Sequence, residues 1–431
     1  MKNLALLHPR DELVGMMQRI YDCGMTTVSG GNLSILDDNG DMWITPGGID
    51  KGTLRREDIV CVRADGSIEG RHKPSCEYPF HRAIYRMRPG IRAVLHAHPP
   101  ALVAFSIAAI VPDTTVNADV FRICGKVGFA PYAVPGSEAL GEKIAAEFAK
   151  GFQTVMLENH GAVAIADSLE NAFKRMETLD FHARSLSFAI RLGKVNALSE
   201  TQLAAARADH NPGFTAVEFG AHGSDEKELR RSLAAFVRRS YRQKLFTSTA
   251  GTYAARLAGD AFLITPSDMD RAEIDPGDLV LVRGREFEAG KRPSRAAAFV
   301  REVFAAHPEF NALTISQPPH LMGYALTAEP FDPRLIPESY IVLREIPSFN
   351  FGALYDEPDN VVSTLSGRYP AILVRNQFLV TGGKSLIESY DRMEVAEFSA
   401  MAAIMARSIG EIKPMGADKV AEIIEAFQLP R

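Results

Sequence analysis

With 431 residues, 46% of them hydrophobic and 23% charged, the chain has the make-up of a globular protein of two or three domains that can bury large cores. A formal net charge of -5, with no block of Lys or Arg, argues against a nucleic-acid or anionic-membrane surface, so neither partner is expected. No apolar run approaches the roughly 18 residues of a bilayer span, and MKNLALLHPRDEL reaches Arg10 and Asp11 before a signal-like core develops; a cytoplasmic location is the expectation.

The first predicted element is a helix in DELVGMMQRIYDCG, apolar at helical spacing and stopped at Gly24. Cys23, Cys61, Cys76 and Cys124 fall in no C-x-x-C spacing and read as reduced thiols. IVCVRA and AVLHAH read as short strands, and a helix opening near Glu77 lies between them. TVMLENHGAVAIA is also strand-like, and SLENAFKRMETLDFHARSLSFAIRLG is a long amphipathic helix with Ser168 as N-cap and Gly193 at its end. Helices and strands mixed with Pro/Gly turns predict a three-layer α/β lobe.

In a strand, residues i and i+2 share a face, so His96 and His98 of VLHAHPP project side by side with Ala97 opposite. His160 in LENHGA is a third candidate, followed by a glycine that permits close approach. Three neutral imidazoles with an open position suit a catalytic zinc or similar divalent ion. Glu77, nineteen residues before His96, is a candidate general base whose burial would tune its pKa. The competing reading is three separately satisfied histidines and a first-turn acid favoured by the helix dipole. His81, one turn after Glu77, is placed to hydrogen-bond to it; His182 reads as core or surface filling, and His72 as a loop residue.

The same order of motifs returns later in the chain. Ile44-Thr45-Pro46 matches Ile264-Thr265-Pro266 at an offset of 220, KPS at Lys73 matches RPS at Arg292, and AHPP at Ala97 matches SQPP at Ser316, both at 219. ENHGAVAIADSLENAFKRME pairs with RNQFLVTGGKSLIESYDRME at 217. This predicts a tandem duplication, with one domain over residues 1–210 and a degenerate copy over 211–431, joined through the Gly-, Asn- and Pro-rich stretch near Ala206–Asp225. Opposite Glu77, His96, His98 and His160 stand Ala296, Ile315, Gln317 and Gln377, so the second copy is expected to hold no metal. TGGKS at Thr381 is no phosphate loop, because Phe378 stands where its first glycine belongs.

SGGNLSI, ITPGGI, SCE with its following His, RPGIRAVLHAHPP and ENHG, in this order over roughly residues 10 to 205, resemble the class II aldolase/adducin family, near the fuculose-phosphate aldolases. The resemblance implies α/β/α lobes with a central, mainly antiparallel sheet. It also implies a divalent metal, most often Zn2+ with Mn2+ as an alternative, on His96, His98 and His160, with Glu77 as acid/base. Substrate contacts carried over in the same way are Gly31, Asn32, Gly47, Gly48, Ser75 and Cys76. Gly47 and Cys76 replace hydroxyl residues of the phosphate-binding members, which weakens a phosphate site and leaves a carboxylate or unphosphorylated substrate at least as well supported.

Family aldolases use a tyrosine of a neighbouring subunit as proton donor. Asn117 stands at that position in the first copy and Tyr340 in the second, so the expectation is that the two lobes complement each other. The expected function is a metal-dependent carbon–carbon lyase, an aldolase or decarboxylase working through a metal-stabilised enolate on a small hydroxy-carbonyl or hydroxy-carboxylic acid. The expected assembly is a homo-oligomer in which two two-lobed chains imitate the family tetramer. The alternative is a non-catalytic, adducin-like interaction module.

Overall fold

The computed structural model describes residues 7–208 and 210–429. The chain divides into two compact units, Met1–Thr115 with Val120–Ala183, and Val116–Asp119 with Arg184–Arg431.

In the order of the chain the first unit draws on α1 (Pro9–Asp22), β1 (Asn32–Leu36), β2 (Met42–Ile44), β3 (Val60–Val62), β4 (Ile68–Glu69), α2 (Tyr78–Met87) and β5 (Ala93–Ala97). α3 (Pro100–Ile107), α4 (Ala118–Cys124), β6 (Gly128–Ala130), α5 (Glu138–Ala149), β7 (Thr154–Leu157), β8 (Ala162–Ala166) and α6 (Leu169–Leu192) follow. The unit boundaries fall inside α4 and α6. The eight strands form one sheet in the order β4-β3-β2-β1-β5-β8-β7-β6, antiparallel throughout except between β6 and β7. As expected, it is a mainly antiparallel sheet.

β5 lies between β1 and β8 with all five residues buried, which is why AVLHA reads as an unbroken run and not as an alternation. Val94 faces a core of Phe80 and Ile84 from α2, Leu140, Ile144 and Phe148 from α5, and Val155, Val163 and Ile165 from the sheet. Each such side chain, fully buried, contributes roughly 1.5–3 kcal/mol. His96 is two residues from Val94 and so points to this same face, beside the start of α2. Local chemistry sets the ends of the helices: His8 accepts from Arg10 N ahead of Pro9 in α1, and Ser137 accepts from Leu140 N in α5.

The second unit contains α7 (Glu200–Ala205), β9 (Thr215–Val217), α8 (Ser224–Arg242), β10 (Thr252–Arg256), β11 (Ala261–Ile264), β12 (Val280–Arg283), β13 (Glu286–Glu288), α9 (Ala297–Ala306) and β14 (Ala312–Ser316). α10 (Pro319–Ala325), α11 (Pro337–Leu343), β15 (Ser348–Phe349), α12 (Ala353–Asp356), α13 (Pro358–Thr364), β16 (Ala371–Val374), β17 (Phe378–Gly383), α14 (Leu386–Arg407) and α15 (Ala417–Ala426) complete it. Its sheet runs β15-β16-β17-β14-β10-β11-β12-β13-β9. The duplication holds at the level of residue pairs. Asn32 opposite His96 recurs as Thr252 opposite Ile315, and His96 opposite Val163 as Ile315 opposite Val380. No helix among the described residues is long and apolar enough to cross a membrane.

Candidate metal and base site

β5 delivers His96 into the buried centre of the first unit. Its Nδ1 lies 3.0 Å from the carbonyl of Ala162, which makes Nδ1 the protonated nitrogen and leaves the Nε2 lone pair facing His98 and Glu77. His98 stands one residue past the end of β5, where its backbone N–H donates to Met25 O at 2.9 Å. Its Nε2 is 2.9 Å from His96 Nε2.

His160 comes from a turn and not from a strand, which corrects the strand-like reading of TVMLENHGAVAIA. The run splits into β7 and β8, and Asn159 at φ 54° lets the chain reverse between them. Gly161 makes the close approach possible: a Cβ there would stand 2.6 Å from both Ala97 O and His98 Cδ2. The three ring centroids are 4.6, 4.8 and 4.9 Å apart, and one ring nitrogen from each histidine lies within 4.8 Å of the others. Burial, reinforced by the neighbouring imidazoles, pulls His96 and His98 down to about 3, so both are neutral at neutral pH, as ligands must be.

Glu77 is the N-cap residue of α2. Its Oε2 is 3.4 Å from His96 Nε2 and its Oε1 3.7 Å from His160 Nε2. Oε2 accepts from Asn32 Nδ2 at 2.7 Å, whereas Oε1 is buried with no hydrogen-bond partner. An orphaned buried oxygen costs about 1–3 kcal/mol, and more if charged. The donor set fits a divalent cation: three imidazole nitrogens, two of them 2.9 Å apart, and a carboxylate oxygen without a hydrogen-bond partner beside them. Two ligands of one tetrahedral ion at about 2.1 Å each are about 3.4 Å apart, so the two Nε2 atoms, 2.9 Å apart, would part by about 0.5 Å to hold one.

His81 does not bond to Glu77 as its spacing suggested. Its Nε2 is 2.5 Å from Asn32 Oδ1 and its Nδ1 2.7 Å from Ser34 Oγ. Ser34 Oγ is 2.8 Å from Tyr85 OH, which donates to Ser34 O at 3.1 Å. His182 is buried and its Nε2 is 2.8 Å from Asp113 O, while His72 pairs with Asp58 at 2.9 Å.

The other candidates lie on adjoining loops of the first unit. Gly31 takes φ 67°, and a Cβ on it would come within 2.8 Å of His96 O. Asn32 spends both ends of its amide on His81 and Glu77. Gly47 lies against Pro74 O and the start of the Ser75-Cys76 pair, and Gly48 takes φ 70°. Ser75 Oγ accepts from Glu77 N at 3.3 Å, and Cys76 is exposed.

Lys51 escaped the sequence reading, although a lysine three residues after Gly48 was there to be weighed. It is 2% exposed, its backbone N–H donates to Val28 O at 2.9 Å, and its Nζ donates to Pro46 O. Burial brings its pKa down to about 8 against the opposing pull of the Cys76 thiol. Among the described residues its ammonium pairs with no carboxylate.

In the second unit the backbone persists without the chemistry. Ala296 is the N-cap of α9 at φ -85°, ψ 6°, against -90° and 4° for Glu77. Gln377 follows Asn376 at φ 60° and accepts from Gly352 N at 2.9 Å; Gln317 donates to Asp119 at 3.4 Å. No second His/Cys/Asp/Glu cluster occurs among the described residues. Tyr340 is buried on α11, with the Arg344 guanidinium 4.9 Å from its ring centre.

Residues 11–186 and again 231–404 match the class II aldolase and adducin N-terminal domain. The chain belongs to that family. This class II aldolase-family chain is 35% identical over 202 residues to a 3-oxo-tetronate 4-phosphate decarboxylase of Pectobacterium atrosepticum, covering 45% of the chain and 90% of the relative. It is 31% identical over 203 residues to a 5-deoxy-D-ribulose 1-phosphate aldolase of Bacillus thuringiensis, covering 46% and 94%. A solved L-fuculose 1-phosphate aldolase is 30% identical, with 46% of the chain and 93% of that structure covered at a TM-score of 0.43.

Proposed function

We propose that the chain is a divalent-metal-dependent carbon–carbon lyase, an aldolase or decarboxylase, acting on a small hydroxy-carbonyl compound that carries an anionic group. The observation that carries this reading is the cluster of His96, His98 and His160 around one point, with Glu77 against His96 and its unpartnered Oε1 3.7 Å from His160 Nε2. The names of the relatives support both reaction types. Buried Lys51, on the loops beside the site, supports the anionic group and offsets the hydroxyls missing at Gly47 and Cys76.

His96, His98 and His160 would hold the cation, most often zinc in this family. When bound, it supplies Lewis-acid stabilisation to negative charge developing on the substrate oxygens. Glu77 Oε1, the free oxygen, holds the proton exchanged with the substrate. The buried floor of Phe80, Val94 and Leu157 excludes water below it.

Decarboxylation is the preferred reaction, because Asn117 replaces the aldolase tyrosine in the first copy. Asn117 Oδ1 accepts from Asp119 N at 3.0 Å. Tyr340 of the second copy is proposed as the proton donor, in an assembly of two chains. Tyr340→Phe leaving turnover unchanged would remove that role, and light scattering reads the assembly.

The central test is metal content of the purified protein, then a screen of phosphorylated and carboxylated hydroxy-carbonyl compounds. Carbon dioxide release supports decarboxylation and aldehyde release supports aldol cleavage. An empty site with neither product returns the chain to the adducin-like binding class.

A further inference from the structure

A buried line of hydrogen bonds runs from Tyr85 through Ser34, His81 and Asn32 to Glu77. Its direction is fixed from one end. Asn32 Nδ2 donates to Glu77 Oε2, so Asn32 presents Oδ1 to His81. His81 must then donate from Nε2, which leaves Nδ1 as an acceptor for the hydroxyl of Ser34. Ser34 Oγ in turn lies against Tyr85 OH, which also reaches the backbone carbonyls of Ser34 and Arg92, at 3.1 and 3.5 Å. From Ser34 onward every donor in the line points toward Glu77.

The duplicated unit provides an internal control. In the shared register, Glu77, Ser34, His81 and Tyr85 correspond to Ala296, Ala254, Val300 and Phe304. All four of these belong to the second unit's hydrophobic core, and Thr252, opposite Asn32, turns to Ser294 at 2.8 Å instead. The same strand–helix frame therefore folds without any polar line. A buried polar network is costlier than apolar packing unless all its members are satisfied. The unit that keeps the base and the histidines keeps the whole line, and the unit that lacks them has replaced it with packing.

We propose that Tyr85, Ser34, His81 and Asn32 form a positioning device for Glu77, and that Asn32 serves the base and not the substrate's anion. His81 keeps the Asn32 amide from flipping, Asn32 pins Oε2, and Oε1 is left as the oxygen that exchanges the proton. The proposal rests on Glu77 being the base, and its first test is independent of that reading.

In metal-free, 15N-histidine-labelled protein, His81 is expected in the Nε2–H tautomer, with a slowly exchanging Nε2 proton. Asn32→Ala should abolish that protection. An Nδ1–H tautomer overturns the proposal whether or not any substrate is found. With a substrate that the metal-loaded enzyme turns over, His81→Val, which installs the second unit's own residue, should lower kcat about 10- to 100-fold. KM and metal content should stay within twofold. His81→Gln, which can still donate to Asn32, should restore part of the rate. Unchanged kcat in His81→Val, or weaker binding of inorganic phosphate in Asn32→Ala at unchanged kcat, would return these residues to structural or substrate-binding roles.

Discussion

The ammonium of Lys51 is buried where charge is costly, with a carbonyl and a thiol for company and no carboxylate. An anion arriving on the neighbouring loops would relieve that cost, each charge-assisted hydrogen bond adding roughly 1.5–3 kcal/mol. Lys51→Met should therefore weaken inorganic phosphate binding roughly 10- to 100-fold. In the intact protein phosphate should slow alkylation of exposed Cys76, and in Lys51→Met it should not. Equal affinity in the two proteins would dismiss the residue as packing. Because the Lys51 pKa is drawn down to about 8, phosphate affinity should fall as pH rises through that value, well below the range of an ordinary lysine. His96 gives a second titration. Its folded pKa of about 3 lies below the unfolded value of 6.5, so between the two the unfolded chain binds more protons. Its stabilising contribution is whole above pH 6.5 and shrinks as pH falls. At pH 5 this one ring removes about 2 kcal/mol, which thermal unfolding of metal-free protein at pH 7 and pH 5 would register. An unchanged Tm would mean that His96 is not buried neutral.

At the scale of elements, the site depends on one hairpin reaching one strand. The β7–β8 turn carries His160, and Gly161 behind it touches the end of β5. Gly161→Ala would force that turn away from Ala97 and His98. Bound metal should fall at least tenfold while far-UV circular dichroism is preserved; full occupancy would show that the hairpin has slack. This hairpin also marks the limit of the sequence pattern. ENHG lies inside an apolar run, and period-2 reasoning has no term for a residue at positive φ, so the turn was invisible until Asn159 was seen at 54°. The start of α2 was legible, because a carboxylate before YPFHRAIYRM has the signature of a helix N-terminus. The edge strand β9 was not, since its three residues pair with β13, a contact remote in sequence.

At the scale of the molecule, one frame occurs twice and carries ligands once. The purified protein should bind one divalent ion per chain, and His96→Ala should bring the ratio below about 0.1. A ratio near two by elemental analysis would contradict the loss of ligands at Ile315, Gln317 and Gln377. By itself the sequence determined the duplication, the family and the mainly antiparallel α/β lobes, and it singled out the three histidines and Glu77 that the structure brings together, because ordered motifs and strand periodicity are local and survive translation into residue types. Only the tertiary structure decided what each polar group meets: that His81 bonds to Asn32 and Ser34, that Glu77 keeps one oxygen free, and that Lys51 is buried. The contacts of His81 and Glu77 join residues 45 to 49 positions apart, and a side chain's partner across a sheet follows from register and burial, which no single segment encodes.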